Sequence, residues 1–281
     1  METNIVYLNG QYLPLTEAKV SVLDRGFLFG DGIYEVIPAY GGKLFRLQEH
    51  LERLENSLNN IRLMNPHSRD EWDKILHALL LGSDQDQYIY LQITRGSAPK
   101  RDHAFPEQTK PTVFAMCSPI VPFALRDSGV KAVTLEDNRW GACHIKAITL
   151  LANILLRQEA IDQNATEAIL VKDGYVTEGA ASNIFVVIDN ILITPPKSQE
   201  ILPGITRDLI LEIAEANDIA FREETIPLKQ LENATEIWIT SSTREIIPVV
   251  RVNSKQIGDG IPGPVWKKMH NLFQEFKKNQ S

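Results

Sequence analysis

The sequence predicts a two-domain protein of mixed α and β structure, either α+β or α/β. Three observations carry this. The chain has 281 residues, more than one average domain needs. Alternating and helical apolar spacings both occur, with the strands in clusters rather than in strict turn with helices. The stretch "PIVPFALRDSG", with two prolines and a closing Ser-Gly, reads as a linker. The expected division is an N-terminal domain over 1–118, a linker over 119–130 and a C-terminal domain over 131–281.

The elements follow in order. "NIVYLNGQYLPL" is a strand, an Asn-Gly turn and a second strand. "GIYEVIPAYGGKLFRL" is another hairpin, turning at Gly41 and Gly42. "LQEHLERLENSLNNIRL" places Leu47, Leu51, Leu54, Leu58 and Ile61 on one helical face. "RDEWDKILHALLLG" reads as a helix ending at Gly82. "QYIYLQITRG" and "KPTVFAMCS" are strands, and beyond the linker so is "VKAVTLED". "HIKAITLLANILLRQEA", residues 144–160, is apolar nearly all round and reads as a buried helix headed by Lys146. "EAILVKDGYVTEGAASNIFVVIDNILITPP" has turn signals at Asp173-Gly174 and Asp189-Asn190 and reads as an antiparallel meander. "GITRDLILEIAEAN" is a helix with Thr206 near its start. "ATEIWITSSTREIIPVV" is a strand running into a hydroxyl-rich turn.

Composition narrows the function classes. A net charge of −7 without a basic run lacks the footprint of a nucleic-acid binder. No apolar run is long enough to span a membrane, and no signal peptide is expected. Cys117 and Cys143 form no CxxC pattern, and the six histidines are scattered, so neither a disulfide nor a protein-held metal is expected. A cytoplasmic, metal-free protein is the expectation. "RGFLFGDG" has neither the P-loop Lys-Ser/Thr nor the GxGxxG spacing, and no GxSxG elbow occurs.

Lys146 is the only charged side chain between Ile145 and Leu156. It is either a lysine snorkelling from a helix end or an amine kept neutral by burial, able to form a Schiff base with an aldehyde cofactor. A pyridoxal cofactor also needs a phosphate seat. "GIT" opens a helix, "TSST" supplies hydroxyls, and Arg53 offers a donor fork. It needs an acid at the pyridine nitrogen too, and Glu178 lies beside the small residues Gly179, Ala180 and Ala181. Each piece also has an ordinary reading, as a helix cap, a turn or a surface charge.

Taken together, "DRGFLFGDGIYE", "HLERL", "YLQITRG", "IKAITLL", "EAILVKDGYVTEGAASNIF", "GITRD" and "TSSTREIIPV" resemble the class IV, or fold-type IV, pyridoxal-phosphate aminotransferases, in family order over residues 5–275 or so. The resemblance implies a two-domain mixed α/β enzyme, with a small N-terminal α/β domain and a larger C-terminal domain built on a barrel-like sheet. It implies a pyridoxal 5′-phosphate cofactor, amino acid and 2-oxo acid substrates, and a homodimer with shared active sites. It gives Lys146 the Schiff base and proton transfer, and Glu178 the pyridine nitrogen. Arg53, Ile205, Thr206, Ser241 and Ser242 would hold the phosphate. Leu202 would pack behind the ring, with Ser182 and Asn183 in support where Ala180 and Ala181 replace family serines. "TRGSAPKRDHAFP" resembles the D-amino acid enzymes, so Arg101, His103, Tyr34 and Tyr90 would bind the substrate, its carboxylate above all. Lys100 is one residue more than that pattern has. The expected reaction is D-alanine and 2-oxoglutarate giving pyruvate and D-glutamate. An aminodeoxychorismate lyase, a branched-chain L-amino acid aminotransferase and a non-catalytic cofactor-binding relative are the alternatives.

Overall fold

The computed structural model describes residues 4–82 and 85–280, which fall into two compact units. The first runs to Val121 and includes the later stretch Ile145–Thr149; the second comprises Pro122–His144 and Leu150–Asn279. The chain thus passes to the second unit after Val121, then returns to the first for five residues bearing Lys146.

The first unit is built on β1 (Ile5–Leu8), β2 (Gln11–Pro14), α1 (Arg25–Phe29), β3 (Gly32–Tyr40), β4 (Lys43–Leu44), α2 (Leu47–Asn60), α3 (Arg69–His77), β5 (Gln87–Thr94) and β6 (Thr112–Pro119). The strands form one antiparallel sheet in the order β2-β1-β6-β5-β3-β4. The Asn-Gly turn is as expected, with both residues at positive φ, Asn9 at 50° and Gly10 at 92°. Helix α2 lays Leu47, Leu51, Leu54 and Leu58 into a core with Ile33 and Ile37 of β3. Full burial of one such side chain is worth about 1.5–3 kcal/mol. Helix α3 opens on a Ser68–Glu71 capping box but stops at His77, short of Gly82. There Leu79 and Leu80 donate to carbonyls three residues back, tightening the last turn and burying Leu79.

The second unit contains β7 (Val130–Glu136), α4 (Leu151–Asp162), β8 (Glu167–Lys172), β9 (Tyr175–Gly179), β10 (Asn183–Ile188), β11 (Ile191–Thr194), α5 (Ile205–Ala216), β12 (Phe221–Glu223), β13 (Ile226–Pro227), α6 (Leu228–Leu231), β14 (Glu236–Ser241), β15 (Glu245–Val252), β16 (Lys255–Gln256) and α7 (Pro264–Gln280). Its sheet runs β12-β11-β10-β14-β15-β7-β8-β9-β13, with β16 on β15. Strands β7 and β8 are parallel and α4 connects them, an α/β crossover within an otherwise mainly antiparallel sheet. The sheet curls: Gly179 at the end of β9 donates its N–H to the carbonyl of Ser182, just before β10, across 2.7 Å.

Residues 167–196 form two hairpins, β8–β9 and β10–β11, and not one meander, since β10 pairs with β14 instead of β9. The small residues after Glu178 allow the sharp turn that redirects the chain. A Cβ on Gly179 would lie 2.1 Å from the Ser182 hydroxyl oxygen. The apolar stretch after Lys146 is not one buried helix headed by the lysine. Helix α4 begins at Leu151, and Leu151, Ile154 and Leu155 are 70, 60 and 61% exposed. Sequence periodicity missed this because the run joins two differently placed segments without a Gly or Pro between them.

Candidate active site

In the first unit, Lys146 lies on an irregular segment held against β3 by a bridge between Ile33 and Ala147. Tyr34 donates its N–H to the Lys146 carbonyl (2.9 Å), and Ile148 donates to the Gly32 carbonyl (3.1 Å). The Lys146 N–H reaches the Ser57 hydroxyl oxygen at 3.3 Å. The Lys146 side chain is half-buried, with Nζ 4.1 Å from the centre of the Tyr34 ring. Tyr34 lies in turn 5.9 Å, ring to ring, from Tyr90. Tyr90 donates to the Gln92 side chain, and burial, then the neighbouring Tyr34, push its phenol up to about 12.

Behind this segment is a buried charge cluster that sequence reading missed. Strand alternation points Glu35, between Ile33 and Ile37, at helix α2. Its carboxylate accepts from Arg53 Nε and from a second Arg53 nitrogen, each at 2.8 Å, and from His50 Nδ1 at 2.8 Å. Burial alone would raise Glu35, but the Arg53 guanidinium, aided by His50, holds it well below the usual carboxylate range. Burial lowers the pKa of His50, so the ring stays neutral and donates. Arg53, a candidate phosphate ligand, therefore gives one edge of its fork to Glu35. The signal was a charged residue at an inward strand position, with His50 and Arg53 three apart on the facing helix.

Arg101 and His103 are in an exposed loop and gather around Phe29 of α1, not around Tyr34. The Arg101 Cζ lies 4.9 Å from the Phe29 ring centre, and the His103 ring 5.3 Å.

In the second unit, Glu178 is buried on β9. It accepts from Arg139 at 2.6 Å, from the Asn183 amide at 2.9 Å and from the Leu202 N–H at 3.1 Å. Every partner is a donor, the environment of a carboxylate. Burial nevertheless pushes Glu178 up to about 7 against the pull of Arg139. Arg139 also grips Asp137 by two nitrogens, at 2.9 and 2.8 Å, and Thr177 donates to the same carboxylate. Burial works against the Arg139 cation, but Asp137 and Glu178 hold its pKa above the ordinary value. Neither Asp137 nor Arg139 stood out in the sequence.

Asn183 joins Glu178 to the start of α5. Its amide also donates to the Leu202 carbonyl at 2.9 Å. Gly204 is the N-cap of α5 and no side chain caps it. A Cβ there would lie 1.9 Å from the Asn183 amide oxygen. The first turn therefore presents the N–H groups of Ile205 and Thr206 at the positive end of the helix dipole. Strand β14, against which α5 packs, ends at Ser241, with half-buried Ser242 next. The buried Thr240 hydroxyl has no hydrogen-bond partner. Ser182 donates to Glu167 at 3.0 Å, and Glu167 also pairs with Arg157.

The structure thus joins Glu178, Asn183 and Leu202 directly, and Tyr34, Tyr90 and Lys146 directly. The uncapped start of α5 and the hydroxyl turn after β14 each offer donors that suit a phosphate, and the buried Thr240 hydroxyl is without a partner. A buried carboxylate at Glu178 suits a ring N–H. Within the second unit, these residues suit the phosphate and the ring nitrogen of a pyridoxal phosphate.

The model of the family described as amino-transferase class IV matches residues 32–252. A D-alanine aminotransferase of Staphylococcus haemolyticus is 41% identical over 279 residues, covering 98% of this chain and 99% of that one. A D-alanine aminotransferase of Bacillus licheniformis is 40% identical over 271 residues, covering 96% and 95%. Among solved structures, the branched-chain amino acid aminotransferase of Escherichia coli superposes with a TM-score of 0.90 at 28% identity, over 98% of this chain and 94% of that one.

Proposed function

The chain belongs to the class IV aminotransferases, and from that premise we propose that it is a pyridoxal-phosphate-dependent D-amino acid transaminase, converting D-alanine and 2-oxoglutarate to pyruvate and D-glutamate. The observation that carries this reading is the near end-to-end match to enzymes named D-alanine aminotransferase. When bound, pyridoxal phosphate supplies an aldehyde that takes up amines and a ring that accepts the electron pair of a broken Cα–H bond.

The chain's own residues supply the rest. Lys146 is the residue that would hold the aldehyde covalently, and its Nζ would take and return the substrate Cα proton. Its main chain is anchored to β3 and α2, so only its side chain needs to move. Glu178 is assigned the ring nitrogen, with Arg139 favouring its ionised form and Asn183 fixing its second oxygen. The first-turn amides of Ile205 and Thr206, with Ser241, Ser242 and Arg53, are assigned the phosphate. Leu202 is assigned the ring face, while Ser182 and Asn183 support it.

Tyr34, Tyr90, Arg101 and His103 are assigned the substrate carboxylate, where a guanidinium fork and two further donors fix orientation. Within one chain Arg101 and His103 lie around Phe29, which favours a homodimer in which the loop serves a partner's site. The exposed Leu151, Ile154 and Leu155 of α4 are the kind of patch that a second copy would cover. No helix among the described residues is long and apolar enough to cross a membrane. We place the enzyme in the cytoplasm, where free thiols such as Cys117 and Cys143 persist.

The test is incubation of holoenzyme with D-alanine and 2-oxoglutarate, and separately with L-leucine. Pyruvate formation and faster turnover of D-alanine are expected. Faster turnover of L-leucine would favour a branched-chain enzyme and overturn the D-specific reading.

A further inference from the structure

The exposed loop bearing Arg101 and His103 lies outside any strand and carries polar side chains, the kind of segment that is ordinarily mobile. Yet a buried cation holds it. Arg25, only 4% exposed, donates to three successive carbonyls, those of Asp102 (2.6 Å), His103 (3.2 Å) and Ala104 (3.2 Å). Its Nε is fixed on Asp31 at 2.7 Å. Asp31 is shared with Arg95, which grips it by two nitrogens at 2.8 and 3.0 Å. Arg95 lies 3.7 Å from the ring centre of Phe105 and donates to the carbonyls of Ile61 and Arg62 at the end of α2. Phe29, on the same short helix as Arg25, lies beneath Arg25, Arg101 and His103 alike. The Lys100–Asp102 pair is exposed and fixes little by comparison.

We propose that Arg25, seated on Asp31, is the positioning residue for the Arg101–His103 loop, and through it for recognition of the substrate α-carboxylate. The proposal rests on the D-amino acid transaminase reading above. Asp31 lies immediately before β3, so one carboxylate anchors Arg25, and the loop that it holds, to the sheet of the first unit. A planar fork is required: one lysine ammonium cannot serve three carbonyls and a carboxylate from a single point. Displacing the loop weakens binding of every substrate that carries a carboxylate and leaves the proton transfer at Lys146 intact.

The experiment compares holoenzyme with Arg25→Gln, Arg25→Lys and Asp31→Asn, varying D-alanine and 2-oxoglutarate in turn. Propionate, a carboxylate without an amine, serves as competitive inhibitor. Arg25→Gln is expected to raise KM for both substrates, and Ki for propionate, by about ten-fold or more. Its kcat is expected to stay within about three-fold and its cofactor absorbance to be unchanged. Arg25→Lys is expected to give no rescue. A KM and Ki that stay put, full rescue by lysine, or a fall in kcat alone would overturn the proposal. Should Arg25→Gln not fold, Asp31→Asn bears the same expectation and decides the matter. If unsubstituted enzyme makes no pyruvate from D-alanine, the substrate reading itself falls, and this proposal with it, before any variant is compared.

Discussion

The Glu35 carboxylate and the Arg53 guanidinium face each other through two parallel 2.8 Å hydrogen bonds, wholly inside the first unit. Arg53→Met would strand a buried negative charge with only His50 beside it. A loss of about 3–5 kcal/mol in unfolding free energy is expected. Glu35→Leu combined with Arg53→Met is expected to recover much of that, since it leaves no buried charge unpaired. Urea unfolding of the parent and both variants checks this, and an Arg53→Met protein as stable as its parent would refute the pair's structural weight.

His50 adds an acid sensitivity. Its folded pKa is depressed, so the native ring stays neutral while the unfolded chain takes up a proton below the ordinary value of 6.5. The native state therefore keeps this contribution above that value and loses it as pH falls. The Glu35 contribution has the same sign and fades at lower pH still. A melting temperature that drops on going from pH 7 to pH 5.5, with a smaller drop in His50→Gln, is the expected result.

Glu178 titrates near 7, and Arg139 is what keeps it from titrating higher. Arg139→Gln removes the cation and leaves the burial. The acidic limb of kcat/KM against pH is then expected to move by about one unit or more toward alkaline pH. A limb that does not move would mean that Glu178 does not control activity.

Gly204→Ala is a one-carbon test of the helix start. The added Cβ would fall 1.9 Å from the Asn183 amide oxygen, so Asn183 must move and release Glu178 and the Leu202 carbonyl. Cofactor affinity, read by dialysis and absorbance, is expected to fall about ten-fold or more, while secondary structure by circular dichroism stays native.

Much of this was open to reading because its causes are local. The Asn9-Gly10, Asp173-Gly174 and Asp189-Asn190 turns all have positive φ, which those residue types tolerate. The sheet strands follow from alternation, and the donor-rich start of α5 from its Gly-Ile-Thr. The networks were hidden because their partners are far apart in sequence. Arg25 meets the loop carbonyls across 77 to 79 residues, Arg95 meets Asp31 across 64, and Arg139 meets Glu178 across 39. Helix α7 was missed for a related reason. Its first turn is capped by Glu236, which accepts from the N–H groups of Val265 and Trp266, some thirty residues away. The start of α4 was misplaced because hydrophobicity alone does not tell an irregular segment pinned to β3 from a helix.

The five-residue return of Ile145–Thr149 makes the chain difficult to cut. A fragment ending at Val121 would carry Tyr34, Arg53 and the loop but no amine, and the bare flank of β3 near Ile33 would be an invitation to self-association. A fragment beginning at Pro122 would own the amine but lack the strand that steadies it. Gene halves swapped between relatives at the linker would therefore separate Lys146 from the β3 edge with which it must be matched, so a working chimera calls for a third junction on either side of that short span.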